Sequence, residues 1–505
     1  MKSTPLPQDN FVGSASEEYR FLPFQFDRRR SGDCLLTNEV GELLVLPPEK
    51  FQSFINKNLA RNDPSYLDLK ARHFLIDGNS SANMEFLAAK YRTKKSFLEG
   101  FTTLHIFVTT LRCNQSCQYC QVSRRNEADA ADRFDMSPEV LRRSVELMLC
   151  SPASHITMEF QGGEPLVNFN LVKEAVLLAK NLNQSVGKKI DYVLCTNLAS
   201  LKDEHLDFMK EHEMLVSTSL DGPAALHDLN RPSSQDIAGH EVVTRNIHRA
   251  QEALGKHAVS ALMTTTRESL KYPREIIDEY LRMDMGSIFL RELNPYGFAI
   301  KTEAAIGYTS SDFVRFYKKA LDYIIDINRR GRTFSEVFVS MVLTKAFTPW
   351  PIGFVDLQSP SGAGMGVCVY NYDGDVYASD ESRMLAEAGD TSFRMGNVLE
   401  DSYDDIFFGE TIQDIAAASC NESLAGCSDC VYQPYCGADP VRNHRTQHDL
   451  YGNRAETGSF CHRNKPMIEH VIDLMLDADE DLERILWAWI NREDISRMRL
   501  GNDNA

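Results

Sequence analysis

Between Leu104 and Arg291, short apolar runs alternate with stretches in which apolar residues return every three or four positions. The runs LHIFVTT, ITMEF, IDYVLCT, MLVSTSL, AVSALMTTT and SIFLRE have strand length and are rich in β-branched and aromatic residues. The stretches between them, near residues 137–150, 168–184, 200–212, 238–255 and 270–283, read as amphipathic helices. The first is opened by Ser137 as cap and Pro138 at the first helical position. Strands apolar on both faces and joined by helices predict a parallel sheet covered by helices, and six such units predict an open α/β partial (β/α)6 barrel. In that architecture the chemistry gathers at the C-terminal ends of the strands, so the residues just after each run are the informative ones.

Outside this repeat the pattern changes. Residues 1–20 are polar, interrupted by Pro5 and Pro7, and are expected to be unstructured. Residues 21–95 carry the strand-like FLPFQF and CLLTNEVGELLVL, the second broken at Asn38 to Gly41 in the manner of a hairpin. Then come a helix over KFQSFINKNL, with Phe51, Phe54, Ile55 and Leu59 at helical spacing, and another over Tyr66 to Phe74. This is the size of a small winged-helix-like module, either a peptide-recognition unit or a packing extension of the barrel domain at 100–310. Residues 311–350 predict two bridging helices, and 351–465 a cysteine-rich domain containing the hairpin-like YNYDGDVYASDE. Residues 466–505 predict one long amphipathic helix, with Leu482, Ile485, Leu486 and Trp489 on one face, and a polar tail. Cys34, Cys150 and Cys195 read as core residues.

At 505 residues the chain is long enough for several domains, and its net charge of −18 and pI near 5.2 provide no basic field for nucleic acid. The local run Asp27-Arg28-Arg29-Arg30 reads as a solvated turn. No apolar run is long enough to span a bilayer, and MKSTPLPQDN lacks the apolar core of a secretion signal, so a cytoplasmic protein is expected. In a reducing compartment the 12 cysteines, clustered at ligand-like spacings, point to metal rather than disulfides.

The first cluster, Cys113, Cys117 and Cys120, follows directly on the first strand. Three thiols on one loop leave one iron of a four-iron cluster without a protein ligand, open to amine and carboxylate donors. A structural zinc loop is the alternative, although no fourth thiol or paired histidine lies nearby. The spacing, with Tyr119 before the last cysteine, resembles the signature of the radical S-adenosylmethionine (radical SAM) superfamily. After the second strand, Gln161-Gly162-Gly163-Glu164-Pro165 resembles the motif of that superfamily that holds the methionine amine, the glycines allowing close approach and the carboxylate accepting from an ammonium. Thr196 and Asn197 follow the third strand, where a plain turn is the alternative, and Ser219 to Pro223 the fourth. The resemblance assigns Ser219 and Arg231 to the cofactor, the arginine to its carboxylate, and leaves Asp221 structural. Arg291 and Glu292, after the sixth strand, are expected to face the same cavity.

The second cluster comprises Cys427, Cys430, Cys436 and Cys461, four ligands for a closed cluster, with zinc again the alternative. It resembles the SPASM domain, which carries auxiliary iron–sulfur clusters in radical enzymes acting on peptides and proteins. Two thiols usual in that family are replaced here by Ser379 and Pro440. One auxiliary [4Fe–4S] cluster is therefore expected, the second being doubtful, with Cys368 and Cys420 as further candidate ligands that Asp380 could complete. Asp380 occupies the place of a catalytic aspartate in sulfatase-maturing relatives, its alternative being a surface turn residue.

The whole length most resembles the radical SAM maturases of the His-Xaa-Ser peptide-modification system. That resemblance implies a [4Fe–4S] cluster with an open iron, S-adenosylmethionine, and radical hydrogen abstraction from a small precursor peptide with His-Xaa-Ser repeats. A second radical SAM maturase and an electron donor such as flavodoxin or ferredoxin are the further partners implied. The competing readings are an anaerobic sulfatase-maturase-like enzyme that makes formylglycine and a non-enzymatic iron–sulfur sensor.

Overall fold

The computed structural model describes residues 19–78, 81–232, 239–452 and 459–498. The segment expected to be unstructured at the N-terminus lies, up to residue 18, outside the described residues, as does the end of the tail from 499. Among the described residues, no helix is long and apolar enough to cross a membrane.

The N-terminal module is a three-stranded antiparallel meander of β1 (Gln25–Arg28), β2 (Cys34–Thr37) and β3 (Leu43–Leu46), with helices Pro48–Ile55, Pro64–Ala71 and Ala82–Lys94. It has its own core, in which Cys34, Leu36, Phe54, Tyr66 and Phe74 are buried. It is not free of the rest. Thr37 Oγ1 donates to the Val431 carbonyl at 2.7 Å and Tyr435 Oη to the Gly41 carbonyl at 2.8 Å, which seats the module on the cysteine-rich region.

The central sheet contains the six predicted strands, β4 (Leu104–Thr110), β5 (His155–Gly162), β6 (Lys189–Cys195), β7 (Leu215–Ser219), β8 (Val259–Thr264) and the short β9 (Leu290–Arg291). Each pairs parallel with the next. The helices between them, Pro138–Leu149, Phe169–Asn183, Asp203–Glu211, His240–Leu254 and Pro273–Arg282, pack on the outer face. Ser137 caps the first as expected, its hydroxyl accepting from Val140 N at 3.2 Å.

The hairpin predicted around Gly374 forms β10 (Val367–Tyr370) and β11 (Asp375–Tyr377), with β12 (Arg394–Asn397) beside it. β10 pairs parallel with β4, so this part of the cysteine-rich region extends the barrel sheet instead of standing apart. The consequence is geometric: the helix Asp380–Glu387 starts beside the C-terminal ends of the barrel strands.

The predicted bridging helices are Ser310–Arg329 and Val337–Phe347. The single long C-terminal helix is instead two, Ser459–Leu476 and Glu480–Asn491. The first starts before the expected boundary at 466 and accommodates Pro466 inside it. The second starts afresh because Asp479 caps it, accepting from Leu482 N at 2.8 Å, with Glu480, Asp481 and Glu483 in its first turn. Cys150, expected in the core, is exposed where the helix Pro138–Leu149 ends.

Candidate functional site

Register decides which side chains reach the inner face. Ile106 pairs with Glu159, Glu159 with Val193, Cys195 with Ser217, Ser219 with Leu262 and Thr264 with Arg291. Paired residues in a sheet point to the same side, and the alternation has period two, so Gln161, Cys195, Ser217, Ser219, Leu262 and Arg291 share one face. They line a cavity of about 270 Å³ at the C-terminal ends of the strands. The same wall includes Cys113, Cys117, Tyr119, Cys120, Gly162, Gly163, Glu164, Thr196, Asn197, Arg231 and Asp380. Residues predicted from six separate stretches of sequence thus meet in one place.

The cysteine loop is held from several sides. Ser116 N and Gln118 N donate to the carbonyls of Pro232 and Asn230 at 2.8 and 2.9 Å, and Phe298 N donates to the Cys120 carbonyl at 2.8 Å. Arg112 Nε and Nη2 clasp Asp135 at 2.8 and 2.6 Å just before Cys113. Burial raises all three thiols, Cys117 to about 11, with the charge of Glu164 adding at Cys113 and the charge of Arg231 opposing at Cys117. Neutral thiols clustered in a wall become ligands only when a cation replaces their protons, so the donor set fits a metal centre. Among the described residues, no three His, Cys, Asp or Glu side chains converge on a single ion.

The glycine turn has a structural demand beside the expected one. Gly162 and Gly163 are tight against protein backbone, not only open to a ligand: an added Cβ would lie 2.1 Å from the Thr110 carbonyl oxygen and 2.3 Å from that of Arg112. Gly163 N and Glu164 N donate to the carbonyls of Thr110 and Arg112 at 2.7 and 2.8 Å, which stitches the turn to the start of the cysteine loop. Glu164 is buried and accepts from Thr196 Oγ1, Asn197 N and Leu166 N at 2.5, 2.7 and 3.0 Å. Its carboxyl is raised by burial against the pull of those bonds. Thr196 and Asn197 therefore build the rim of the cavity with Glu164, and Asn197 Nδ2 reaches Asn114 Oδ1 at 2.8 Å.

Asp221, expected to be merely structural, is fully buried in a charged knot. It accepts from Tyr119 Oη at 2.7 and 2.8 Å and pairs with Arg231 Nε at 3.4 Å, while the guanidinium lies 5.4 Å from the Tyr119 ring centre. Arg231 Nη1 donates to Gln115 Oε1 at 3.3 Å. Asp221→Ala would leave the guanidinium and the phenol without their partner in a buried setting. It is expected to cost about 3–5 kcal/mol, seen as a lowered urea midpoint, with Asp221→Asn milder.

Asp380 is the first residue of its helix, and Ser379 caps that helix, accepting from Ser382 N at 3.2 Å. Burial raises the Asp380 carboxyl to about 6 against the attraction of Arg383, whose Nε stands 3.4 Å away. Pro440 likewise opens a helix, Pro440–Gln447, capped by Asp439. The two positions lacking the family's thiols thus both serve as helix starts. Cys427 and Cys430 lie near enough to Cys436 for their charges to act on it. Asn464, one turn after Cys461, donates to Cys436 Sγ at 3.7 Å.

Cys368 and Cys420 are not brought together. Cys368 pairs in register with His105, on the face opposite Ile106 and Glu159, and its thiol lies 3.3 Å from His105 Nδ1. Cys420 follows the helix Glu410–Ser419 and donates to Glu422 at 3.4 Å. Among the described residues, neither thiol is hydrogen-bonded to Asp380. Glu292 also differs from expectation, turning away from the cysteine cavity to Arg442 and Arg463. Cys195 lines the cavity, hydrogen-bonded to Glu159, which accepts from Gln161 Nε2 at 2.5 Å. The signal for Glu159 was a carboxylate in an apolar strand two residues before Gln161, hence on its face.

Residues 107–280 match the radical SAM superfamily model. A cysteine-type anaerobic sulfatase-maturating enzyme of Clostridium perfringens is 22% identical over 390 residues, spanning 74% of this chain and 96% of that protein. Among solved structures, native anSMEcpe with bound AdoMet superposes with a TM-score of 0.59 at 19% identity, covering 77% of this chain and 100% of the other. Streptococcus suis SuiB bound to precursor peptide SuiA superposes with a TM-score of 0.52 at 13% identity, covering 86% and 98%. The fold is the radical SAM α/β fold, with a parallel sheet curved part of the way to a barrel.

Proposed function

We propose that this chain is a radical SAM enzyme that modifies a ribosomally made peptide or small protein. The observation that carries the reading is the convergence of the three thiols, the Gly-Gly-Glu-Pro turn, Ser219, Arg231 and Asp380 on one cavity. A [4Fe–4S] cluster on Cys113, Cys117 and Cys120, with S-adenosylmethionine on its open iron, supplies a 5′-deoxyadenosyl radical for hydrogen abstraction when bound. Gln161, Gly162, Gly163, Glu164, Thr196, Asn197, Ser219 and Tyr119 shape the pocket for the sulfonium cofactor. Glu164 and the Asn197 turn fix where its amine is met, and Arg231, oriented by Asp221, suits its carboxylate. Cys427, Cys430, Cys436 and Cys461 are the ligand set for one auxiliary cluster. The relatives' peptide and protein substrates, and the resemblance to the His-Xaa-Ser maturases, favour a precursor with His-Xaa-Ser repeats, a cytoplasmic setting, a flavodoxin or ferredoxin donor and a second maturase. The exposed edge strand β1, with Phe26 half in solvent, suits the addition of a leader strand.

Asp380 serves in this reading as the proton acceptor of the substrate. Its carboxylate is the accepting form, so product formation is expected to rise as pH passes upward through about 6. Stability runs the other way, since a carboxyl raised by folding stabilises below its unfolded pKa and loses that contribution as pH rises through about 6. Asp380→Asn is expected to cut modified product by about 10²–10⁴-fold while reductive cleavage of S-adenosylmethionine continues. Equal loss of both activities would reject the role.

A sulfatase-maturase-like activity is the second reading, favoured by the relative in Clostridium perfringens. Mass spectrometry of the peptide product separates the two, because conversion of Cys or Ser to formylglycine shifts mass differently from a cross-link or an epimerisation. Anaerobic co-expression with a His-Xaa-Ser peptide, giving a changed peptide mass only with the enzyme, tests the first reading.

A further inference from the structure

A second cavity, of about 60 Å³, adjoins the first. Arg291 lines both, and at the helix start Asp380 faces the first while its neighbour Glu381 faces the second. The wall of the small cavity carries four carboxylates, Glu292, Asp356, Glu381 and Asp439, against three guanidiniums, Arg291, Arg442 and Arg463. The pairing is uneven. Arg442 and Arg463 both engage Glu292, whereas among the described residues no cationic nitrogen comes within ion-pair distance of Asp356, Glu381 or Asp439. Burial, followed by the repulsion of their carboxylate neighbours, pushes Asp356 and Asp439 above the usual carboxyl range. Independently of the acids, Tyr296 lines this cavity, is 1% exposed, and has a hydroxyl with no hydrogen-bond partner among the described residues. Burial and the charges of Asp439, Glu381 and Asp356 all oppose its ionisation, so the phenol oxygen remains an acceptor.

We propose that this cavity seats a cationic side chain of the substrate peptide, a guanidinium or ammonium entering between Asp356, Glu381 and Asp439 and donating one further hydrogen bond to Tyr296 Oη. The size admits the tip of a side chain, since about 10–15 Å³ of such space already holds one water. The sign fits as well: among the described residues Asp356, Glu381 and Asp439 stand without a cation at ion-pair distance, and an entering cation favours their ionised forms, whereas an anion would be repelled by them. Because the cavity abuts Asp380 and the strand ends, a residue anchored there sets which neighbouring position of the peptide lies in the reacting cavity. The inference rests on the reading of the chain as a peptide-modifying enzyme and names the kind of residue it recognises.

The test is binding of N-acetyl-arginine amide against N-acetyl-citrulline amide, which keeps the shape and removes the charge, to the full chain with its clusters reconstituted. Saturation-transfer NMR is expected to give an affinity about tenfold or more higher for the arginine amide. The preference should be lost in the Asp356→Asn, Glu381→Gln double variant and reduced in Tyr296→Phe, with circular dichroism unchanged. Equal affinity for the two amides, or a preference that survives in the folded double variant, overturns the proposal. If the double variant does not fold, an unchanged preference in Tyr296→Phe overturns it. Cleavage of S-adenosylmethionine, measured on the same wild-type sample, separates the two levels. Cleavage without charge preference sinks only this inference, and charge preference without cleavage sinks the enzymatic reading and leaves the cation site standing.

Discussion

Replacing any one of Cys113, Cys117 or Cys120 by alanine is expected to abolish 5′-deoxyadenosine formation and to remove about four iron atoms per chain, with the fold retained. The loop that carries these cysteines is held mainly by bonds that do not involve sulfur. Ser116, Gln118 and Cys120 are tied through their backbones, and Arg112 is clasped by Asp135. Removing a half-buried thiol therefore takes away a ligand and little else. Iron and sulfide analysis beside far-ultraviolet circular dichroism checks the prediction. On the proposed auxiliary cluster at Cys427, Cys430, Cys436 and Cys461, iron is expected not to fall to zero. A variant that retains its full iron and still cleaves S-adenosylmethionine would remove the thiol trio from the account.

The second large effect is expected at Gly163. A methyl group there would meet the carbonyl oxygens of Arg112 and Leu111 at 2.3 and 2.4 Å, and both are backbone atoms that cannot swing aside. Relief requires the turn to part from the first barrel strand, breaking the bonds from Gly163 N and Glu164 N that register the turn against the cysteine loop. Gly163→Ala should cost about 3 kcal/mol, the upper end for overpacking, and should uncouple Glu164 from the thiols. The expected outcome is a lower denaturant midpoint together with loss of S-adenosylmethionine binding, read by equilibrium dialysis. Unchanged binding with a lowered midpoint would show that the turn is structural only.

Much of the barrel was legible because parallel strands announce themselves locally. Each is an apolar run between two periodic helices, and the rule that chemistry sits at the strand ends turned that repeat into a list of residues. Cys113, Gly163, Thr196, Ser219 and Asp380 came from different stretches and line one cavity. What escaped was what local pattern does not carry. The strand Val367–Tyr370 joins the sheet beside Leu104–Thr110, a pairing set by tertiary packing that no window of sequence reveals. Strands apolar on both faces do not say which face is inward, so Cys195 reads as a core residue although register places it on the cavity face, while Cys368, a ligand candidate from the SPASM resemblance, pairs with His105 on the opposite face. Glu292 faces the arginines of the second cavity because it follows the short strand Leu290–Arg291, where alternation turns it away from Arg291. At the C-terminus, Pro466 read as a helix start and sits inside a helix that begins with Ser459.

The most direct test is to reconstitute the full chain anaerobically with iron and sulfide, reduce it, add S-adenosylmethionine and measure 5′-deoxyadenosine by mass spectrometry. The nucleoside is expected to form in the wild-type protein and to disappear in Cys117→Ala. Protein that loads its iron through Cys113, Cys117 and Cys120 yet leaves S-adenosylmethionine intact would contradict it.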